Sequence, residues 1–241
     1  MFSCSFMRLD NYLVEKEFVD SRNKAQTLIK DELVRVNDKI IKKSSFKVQE
    51  GDEVNVAEHK SYVSRAAFKL LEFLEEIDFD VTHKVALDIG SSTGGFTQVL
   101  LERGVDEVTC VDVGSDQLHH SLRADERVKV FESCDIRKFE SEKQFDLIVS
   151  DVAFISLLYI LDDVDRLSSQ DIILLFKPQF EVGREVKRDK NGVVLDKKAI
   201  ANAMQKFEDA CALQGWQLLE KAPSKLTGKE GNLEYCYHFK K

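Results

Sequence analysis

Val85-Ala86-Leu87-Asp88-Ile89 runs directly into Gly90-Ser91-Ser92-Thr93-Gly94-Gly95-Phe96, and this stretch decides the fold. The apolar run predicts a buried strand, and the glycines predict a tight turn that a ligand can approach closely. A helix that begins near Gly95 directs its N-terminus at that ligand. The stretch therefore predicts the first strand, loop and helix of an open α/β sheet.

The pattern continues outward as alternating elements. Strands are predicted at Lys84–Ile89, Glu107–Asp112, Lys129–Glu132, Phe145–Ser150 and Asp171–Phe176, and helices at Arg65–Leu74, Gly95–Arg103, Gln117–Arg123, Ile155–Leu167 and Lys197–Leu213. This order builds a mostly parallel, doubly wound sheet. Two last strands, Trp216–Lys221 and Leu233–Lys240, follow each other without a helix and predict an antiparallel pair at the sheet edge.

The N-terminal segment has a different pattern, which predicts a small α+β domain. Two short amphipathic helices, the second capped by Asp20-Ser21, precede short strands such as Leu33–Asn37 and Val54–Val56. We expect the domain boundary near Lys60.

Composition sets the broad class of protein. The 241 residues are 43% hydrophobic, carry a net charge of −8 and contain no apolar run long enough to span a membrane. All of the excess negative charge lies after residue 60, because residues 1–60 carry 11 basic and 11 acidic side chains. The five cysteines, including Cys4, have no metal-ligand spacing, so we expect no metal site, no disulfides and a cytoplasmic location.

A glycine-rich loop followed by an acidic residue at the end of the second strand, Asp112, fits either a nicotinamide dinucleotide or S-adenosylmethionine. The motif D-x-G-x-S-T-G-G-F favours S-adenosylmethionine, because it resembles the motif of class I methyltransferases with a Rossmann-like fold. That resemblance implies contacts with the cofactor's amino-acid portion from Asp88, with its ribose from Asp112 and with its adenine from Asp135. The complete set of predicted cofactor residues is Asp88, Gly90, Ser92, Thr93, Gly94, Gly95, Phe96, Asp112 and Asp135.

Four charged residues beside apolar elements are candidates for catalysis: Lys69, Asp151, Lys177 and Glu234. Their segments S-R-A-x-x-K-L, S-D-V, L-x-x-K-P-Q-F-E and G-N-x-E resemble those of the FtsJ-type RNA 2′-O-methyltransferases, which use a Lys–Asp–Lys–Glu tetrad. A ribose hydroxyl is a weak nucleophile until its proton is removed. Our hypothesis is that Lys177 receives this proton beside Lys69, while Asp151 and Glu234 orient the lysines and the ribose.

Segments of the N-terminal domain, including M-R-L-D-N-Y-L and V-R-V-N, resemble the S4-like RNA-binding domain, with Asp31 where glycine is more usual. The two domains together resemble the TlyA family, often labelled haemolysin and similar to rRNA 2′-O-methyltransferases that act on cytidine. We expect the S4-like domain at 1–58, a linker at 59–63 and the methyltransferase domain at 64–241. Residues 1–6 match nothing and are expected to be disordered or to precede a natural start at Met7. The predicted RNA contacts are Arg8, Arg22, Lys24, Lys30 and Arg65.

The resemblance implies ribosomal RNA and a ribosomal subunit as partners. Only seven residues follow Glu234, and this short tail resembles family members associated with large-subunit rRNA alone. We expect a monomer or weak oligomer without a membrane partner. Two alternatives stay open: a ribosome-assembly factor without turnover, and a membrane-active haemolysin, which would need an amphipathic basic helix or an apolar span.

Overall fold

The computed structural model describes residues 6–30, 32–56 and 62–241. Contacts divide the chain into two compact units, the first ending at Ser61 and the second running from Tyr62 to Lys241. Some sequence predictions concern residues outside the described ranges: the thiol of Cys4, the departure at Asp31, the expected disorder of residues 1–5, and residues 59–61 of the linker.

The first unit packs two helices against short strands. Its elements are β1 Met7–Arg8, α1 Leu9–Glu15, α2 Arg22–Lys30, β2 Val34–Val36, β3 Lys39–Ile40, β4 Lys47–Val48 and β5 Val54–Val56. Strand β1 pairs with β4, and β2 lies between β3 and β5. Ser21 Oγ accepts the backbone N–H of Lys24 at 3.4 Å, as the predicted cap of α2 requires. The apolar faces of α1 and α2 meet the strands in one core: Leu9, Leu13, Ala25, Ile29, Val34, Val36, Val48 and Val54.

The second unit follows the alternating order that the sequence predicts. Its helices are α3 Ala66–Glu76, α4 Gly95–Glu102, α5 His120–Arg123, α6 Leu161–Leu167, α7 Pro178–Glu181 and α8 Lys197–Leu213. Its strands are β6 Val85–Ile89, β7 Glu107–Val111, β8 Val128–Phe131, β9 Phe145–Ser150, β10 Ser168–Phe176, β11 Gln217–Pro223 and β12 Tyr235–Lys240.

These strands form one seven-stranded sheet in the order β11-β12-β10-β9-β6-β7-β8. Strands β10, β9, β6, β7 and β8 are mutually parallel, so their carboxyl ends share one edge, where ligands bind in folds of this kind. Apolar cores cover both faces of the sheet. The Rossmann-like fold predicted from the sequence, with its small N-terminal α+β domain, is confirmed.

The antiparallel strand β12 brings a distant part of the chain to this edge. It pairs with β10 in a register that places Tyr235 opposite Phe176, so the start of β12 lies beside the end of β10. Because of this reversal, Glu234 enters the sheet where Lys177 leaves it. The predicted antiparallel edge is thereby confirmed, with β11 as the outermost strand.

Two predicted helices are shorter than expected. Helix α5 begins at His120 instead of Gln117, because the Glu132 carboxylate accepts the N–H groups of residues 116–118 and holds them in a turn. Residues 157–159 form a 3-10 helix, and α6 begins only at Leu161. Among the described residues, no helix combines the length and the apolar character needed to cross a membrane.

Candidate active site

The glycine-rich loop between β6 and α4 leaves no room for side chains at two positions. A Cβ on Gly90, whose φ is +77°, would lie 3.0 Å from Val152 Cγ1 and 3.2 Å from its Cα. A Cβ on Gly95 would lie 2.9 Å from the backbone nitrogen of Ala67 and would also overlap Ser64 Oγ. Glycine at these positions allows the loop to pack closely against its neighbours.

A cavity of about 260 Å³ opens beside this loop. Six of the nine predicted cofactor residues line it, while Gly94, Asp112 and Asp135 do not. Two of the four predicted catalytic residues, Asp151 and Lys177, also line it. The complete lining is Ser64, Ala66, Asp88, Gly90, Ser91, Ser92, Thr93, Gly95, Phe96, Asp151, Ala153 and Lys177.

Asp88 lies in the wall of this cavity, and no cation of the described residues pairs with it. Its Oδ2 accepts the backbone N–H of Thr97 at 3.0 Å and the hydroxyl of Thr97 at 2.6 Å, whereas Oδ1 is buried and has no hydrogen bond from the part of the chain that the structure describes. Burial of the carboxyl raises the pKa of Asp88 to about 7. The free oxygen can accept a hydrogen bond from a ligand in the cavity.

Asp112 and Asp135 hold the surrounding loops. Asp112 accepts the backbone N–H of Ser92 at 2.8 Å and that of Gly114 at 2.7 Å, one on each oxygen, which leaves lone pairs for ribose hydroxyls. Asp135 caps a short 3-10 helix and pairs with Arg137, and these hydrogen bonds lower the pKa of Asp135 to about 2. Contact of either carboxylate with a cofactor stays a prediction.

The four predicted catalytic residues form two ion pairs. Lys177 Nζ lies 2.6 Å from Asp151 Oδ1, and Lys69 Nζ lies 2.6 Å from Glu234 Oε2. None of the four side chains is more than 15% exposed. Lys177 also donates to the backbone oxygen of Asp151 at 3.1 Å. The fold thus gathers two amines and two carboxylates in largely dry surroundings, where electrostatic interactions are stronger than in water.

The turn after Lys177 adds a residue that the sequence analysis missed. Gln179 in α7 donates through Nε2 to Glu234 Oε1 at 3.0 Å, so both Glu234 oxygens are engaged. Asn232 fixes the segment that carries Glu234, because its side-chain oxygen accepts the N–H of Val194 at 2.9 Å. The available signal is the position of Gln179 in the K-P-Q-F-E segment, two residues after the catalytic candidate Lys177.

Glu181 is a second residue that the sequence analysis missed. Its carboxylate accepts the hydroxyl of Ser156 at 2.6 Å and the N–H of Leu157 at 2.9 Å. These two bonds tie the turn after Lys177 to the loop that follows Asp151. Burial raises the pKa of Glu181.

An exposed aromatic side chain stands in the loop that follows Asp151. Phe154 is 91% exposed, adopts a φ of +66°, and its ring centroid lies 5.3 Å from that of Phe180. Positive φ is uncommon for a bulky residue. The neighbouring Ala153 lines the cavity, so an aromatic face lies next to cavity residues.

The predicted RNA contacts occur in both units. Arg8, Arg22 and Lys30 are exposed in the first unit, and Lys24 is partly exposed and pairs with Asp20 at 2.6 Å. Arg65 precedes α3 in the second unit and donates to the backbone oxygen of Thr227 at 3.5 Å. Their contact with RNA stays a prediction.

Comparisons with known proteins agree with this geometry. Residues 62–241 match the FtsJ-like methyltransferase family, and residues 7–54 match the S4 domain. The 23S rRNA (cytidine-2′-O)-methyltransferase TlyA of Campylobacter jejuni is 47% identical, over 97% of this chain and 99% of that protein. Hemolysin A of Brachyspira hyodysenteriae is 36% identical over 97% of this chain and 99% of its own length. The structure of a Streptococcus thermophilus protein provisionally named a hemolysin superposes with a TM-score of 0.71 at 30% identity, over 99% of this chain and 90% of that one.

Proposed function

This chain belongs to the FtsJ-like methyltransferase family and carries an S4 domain, and from that premise we propose that it methylates the ribose 2′-hydroxyl of a cytidine in large-subunit rRNA. It is an S-adenosylmethionine-dependent methyltransferase. The large-subunit cytidine is supported by the name of the Campylobacter jejuni relative, since 23S rRNA belongs to that subunit.

The two lysine–carboxylate pairs carry the proposal. Lys177 and Asp151 line the cavity, and Gln179 links the turn after Lys177 to Glu234 of the other pair. An acceptor hydroxyl needs a group that takes its proton and groups that fix its orientation. These side chains supply both, and the exposed ring of Phe154 supplies a surface suited to a nucleobase.

The cavity suits S-adenosylmethionine on two grounds. Within the described residues the buried Oδ1 of Asp88 lacks a hydrogen bond and is an acceptor that the α-amino group would satisfy. The cavity also lies beside the glycine-rich loop at the carboxyl ends of the parallel strands, where ligands bind in folds of this kind. When bound, S-adenosylmethionine supplies an electrophilic methyl group on its sulfonium sulfur.

The catalytic side chains act mainly by position. In this proposal Lys177 Nζ receives the proton of the ribose 2′-hydroxyl. Asp151 holds Lys177 in place, and Glu234 does the same for Lys69. Together these side chains would hold the ribose oxygen in line with the methyl group that bound S-adenosylmethionine would supply, so that catalysis consists largely of orienting the reactants and excluding water.

In this proposal the two domains have different roles, RNA binding and methyl transfer. Residues 1–58 would bind structured rRNA through shape and backbone phosphates, residues 64–241 would carry the reaction, and residues 59–63 would link them. The ribosomal substrate and the cysteines without metal-ligand spacing are consistent with a cytoplasmic enzyme.

Ribose-methylation mapping of rRNA tests the proposal. Cells that express the wild-type chain should gain a methylated cytidine in large-subunit rRNA, and cells that express Lys177→Ala should not, because the proton acceptor is gone. General-base catalysis contributes about 10²–10⁴-fold, so we expect a loss of that order in vitro with S-adenosylmethionine binding retained.

Lys143→Ala is the matched control, because Lys143 pairs with Glu107 near the amino ends of the parallel strands, away from the site. Near wild-type turnover of Lys177→Ala would contradict the assignment of Lys177. An absence of methylation by the wild-type chain, on both naked rRNA and assembled subunits, would favour the assembly-factor alternative.

A further inference from the structure

Asp10 is a fully buried carboxylate near the start of α1 in the first unit, with side-chain exposure of 0%. Arg8 donates to it through Nε and Nη2, each at 3.0 Å, and Arg22 donates through Nε at 2.9 Å. Gln26 and the backbone N–H of Asn11 donate as well, at 3.2 and 3.1 Å. The carboxylate therefore accepts five hydrogen bonds from the described residues, and each of its oxygens accepts more than one.

The two arginines keep their outer faces in solvent. The side chains of Arg8 and Arg22 are 43% and 54% exposed. A guanidinium has five N–H donors, so within the described residues these bonds leave three donors on Arg8 and four on Arg22. A planar guanidinium that is held at one edge presents its remaining N–H donors in a fixed direction. Phosphate oxygens can accept hydrogen bonds from donors in this arrangement.

We propose that Asp10 is a positioning residue that holds Arg8 and Arg22 as a paired guanidinium surface for backbone phosphates of the RNA substrate. This inference rests on the proposed function, because it takes structured RNA as the ligand. Asp10 itself touches no phosphate, and its effect on RNA passes through the two arginines.

The proposal makes a prediction that charge alone does not make. Asp10→Asn removes a negative charge from the RNA-binding unit, so simple attraction would strengthen binding to RNA. If Asp10 positions the arginines, the same substitution weakens binding, because an amide offers one acceptor oxygen and no charge to hold two cations. We expect about tenfold weaker binding, the scale of a lost charged hydrogen bond.

The experiment measures binding of purified large ribosomal subunits by the full chain at several salt concentrations between about 50 and 200 mM. Asp10→Asn should weaken binding, flatten the dependence of affinity on salt, and raise the KM for the subunit. The kcat and the KM for S-adenosylmethionine should stay unchanged, because the methyltransferase unit does not contain Asp10. The double variant Arg8→Lys, Arg22→Lys keeps both positive charges and Asp10 but lacks the planar guanidinium groups. It should weaken binding to a similar extent.

Asp125→Asn is the matched control. Asp125 receives Nε and Nη2 of Arg127 at 3.0 and 2.8 Å, again two residues apart, but precedes β8 at the amino ends of the strands. Its removal should leave binding to the subunit unchanged.

Binding of Asp10→Asn as tight as wild type, or tighter, would overturn the inference, and so would full binding by the double lysine variant. The binding assay does not depend on turnover. Wild-type chain that binds but never methylates would count against the proposed function, while the affinity series still decides the role of Asp10.

Discussion

Asp10 in the first unit and Asp88 in the second are both completely buried, yet their carboxyl groups have opposite properties. Hydrogen bonds from Arg8 and Arg22 hold the pKa of Asp10 well below its usual range. Thr97 is the only donor to Asp88 among the described residues, and burial raises the pKa of Asp88 to about 7. Burial by itself does not set the charge of a carboxyl group; the cations packed against it do. The Asp10 carboxylate, with hydrogen bonds to both oxygens, suits a fixed structural role. Asp88 has one oxygen that can still accept a hydrogen bond from a ligand.

The largest expected effect is on the pH dependence of stability at Asp88. The folded state keeps the Asp88 proton up to about pH 7, whereas the unfolded chain loses it near the ordinary value of about 3.9. Folding therefore takes up a proton in this range, and stability falls as pH rises through it, by about 4 kcal/mol in total. Asp88→Asn cannot ionise, so without cofactor it should be the more stable protein at pH 8 and lose that advantage near pH 4.

Urea unfolding measures the free energy of unfolding of the methyltransferase unit at each pH. The fluorescence of Trp216, the single tryptophan, reports the transition. The exposed Asp116→Asn serves as the control and should follow the wild-type pH dependence. Equal slopes for Asp88→Asn and wild type between pH 4 and 8 would mean that Asp88 is ionised in spite of its burial.

The second prediction is that Asp10 gives stability the opposite pH dependence from Asp88. Because the pKa of Asp10 is lowered by folding, its ionised form stabilises the first unit above about pH 4, and this contribution is lost as pH falls towards the lowered value. Asp10→Asn should cost about 2 kcal/mol at pH 7, since it leaves two guanidiniums without their counter-charge. Hydrogen exchange of the amides in α1 and α2 should accelerate about 30-fold, with the difference narrowing below pH 4. Unchanged exchange at pH 7 would show that the arginines do not stabilise this unit.

The smallest expected effect concerns Glu181, whose carboxylate accepts hydrogen bonds from two neutral donors, Ser156 and Leu157. Glu181→Gln keeps one acceptor oxygen and loses about 1 kcal/mol of stability. Its looser hold on Ser156 should shift the loop that carries Asp151, so we expect kcat to fall about tenfold while the KM for S-adenosylmethionine stays unchanged. Steady-state kinetics beside the exposed Glu185→Gln test this. Equal kcat values for the two variants would show that the loop keeps its position without Glu181.

The sequence by itself determined the strand–loop–helix at residues 85–96, the alternating order of the methyltransferase unit and the two helices of the S4 domain. These features depend on local periodicity, glycine spacing and capping, which a short window contains. The motifs also named Lys69, Asp151, Lys177 and Glu234 as catalytic candidates, although nothing in the linear sequence says which lysine meets which carboxylate.

Only the tertiary structure decided those partners. Lys69 and Glu234 are 165 positions apart and meet because β12 runs antiparallel to β10 and begins at the edge where Lys177 leaves the sheet. The bracing by Gln179 and Glu181, the shortening of α5 by Glu132 and the saturation of Asp10 by two arginines likewise depend on side chains from separate elements. A carboxylate's charge and role follow from what packs around it, and packing is a property of the folded chain rather than of the local sequence.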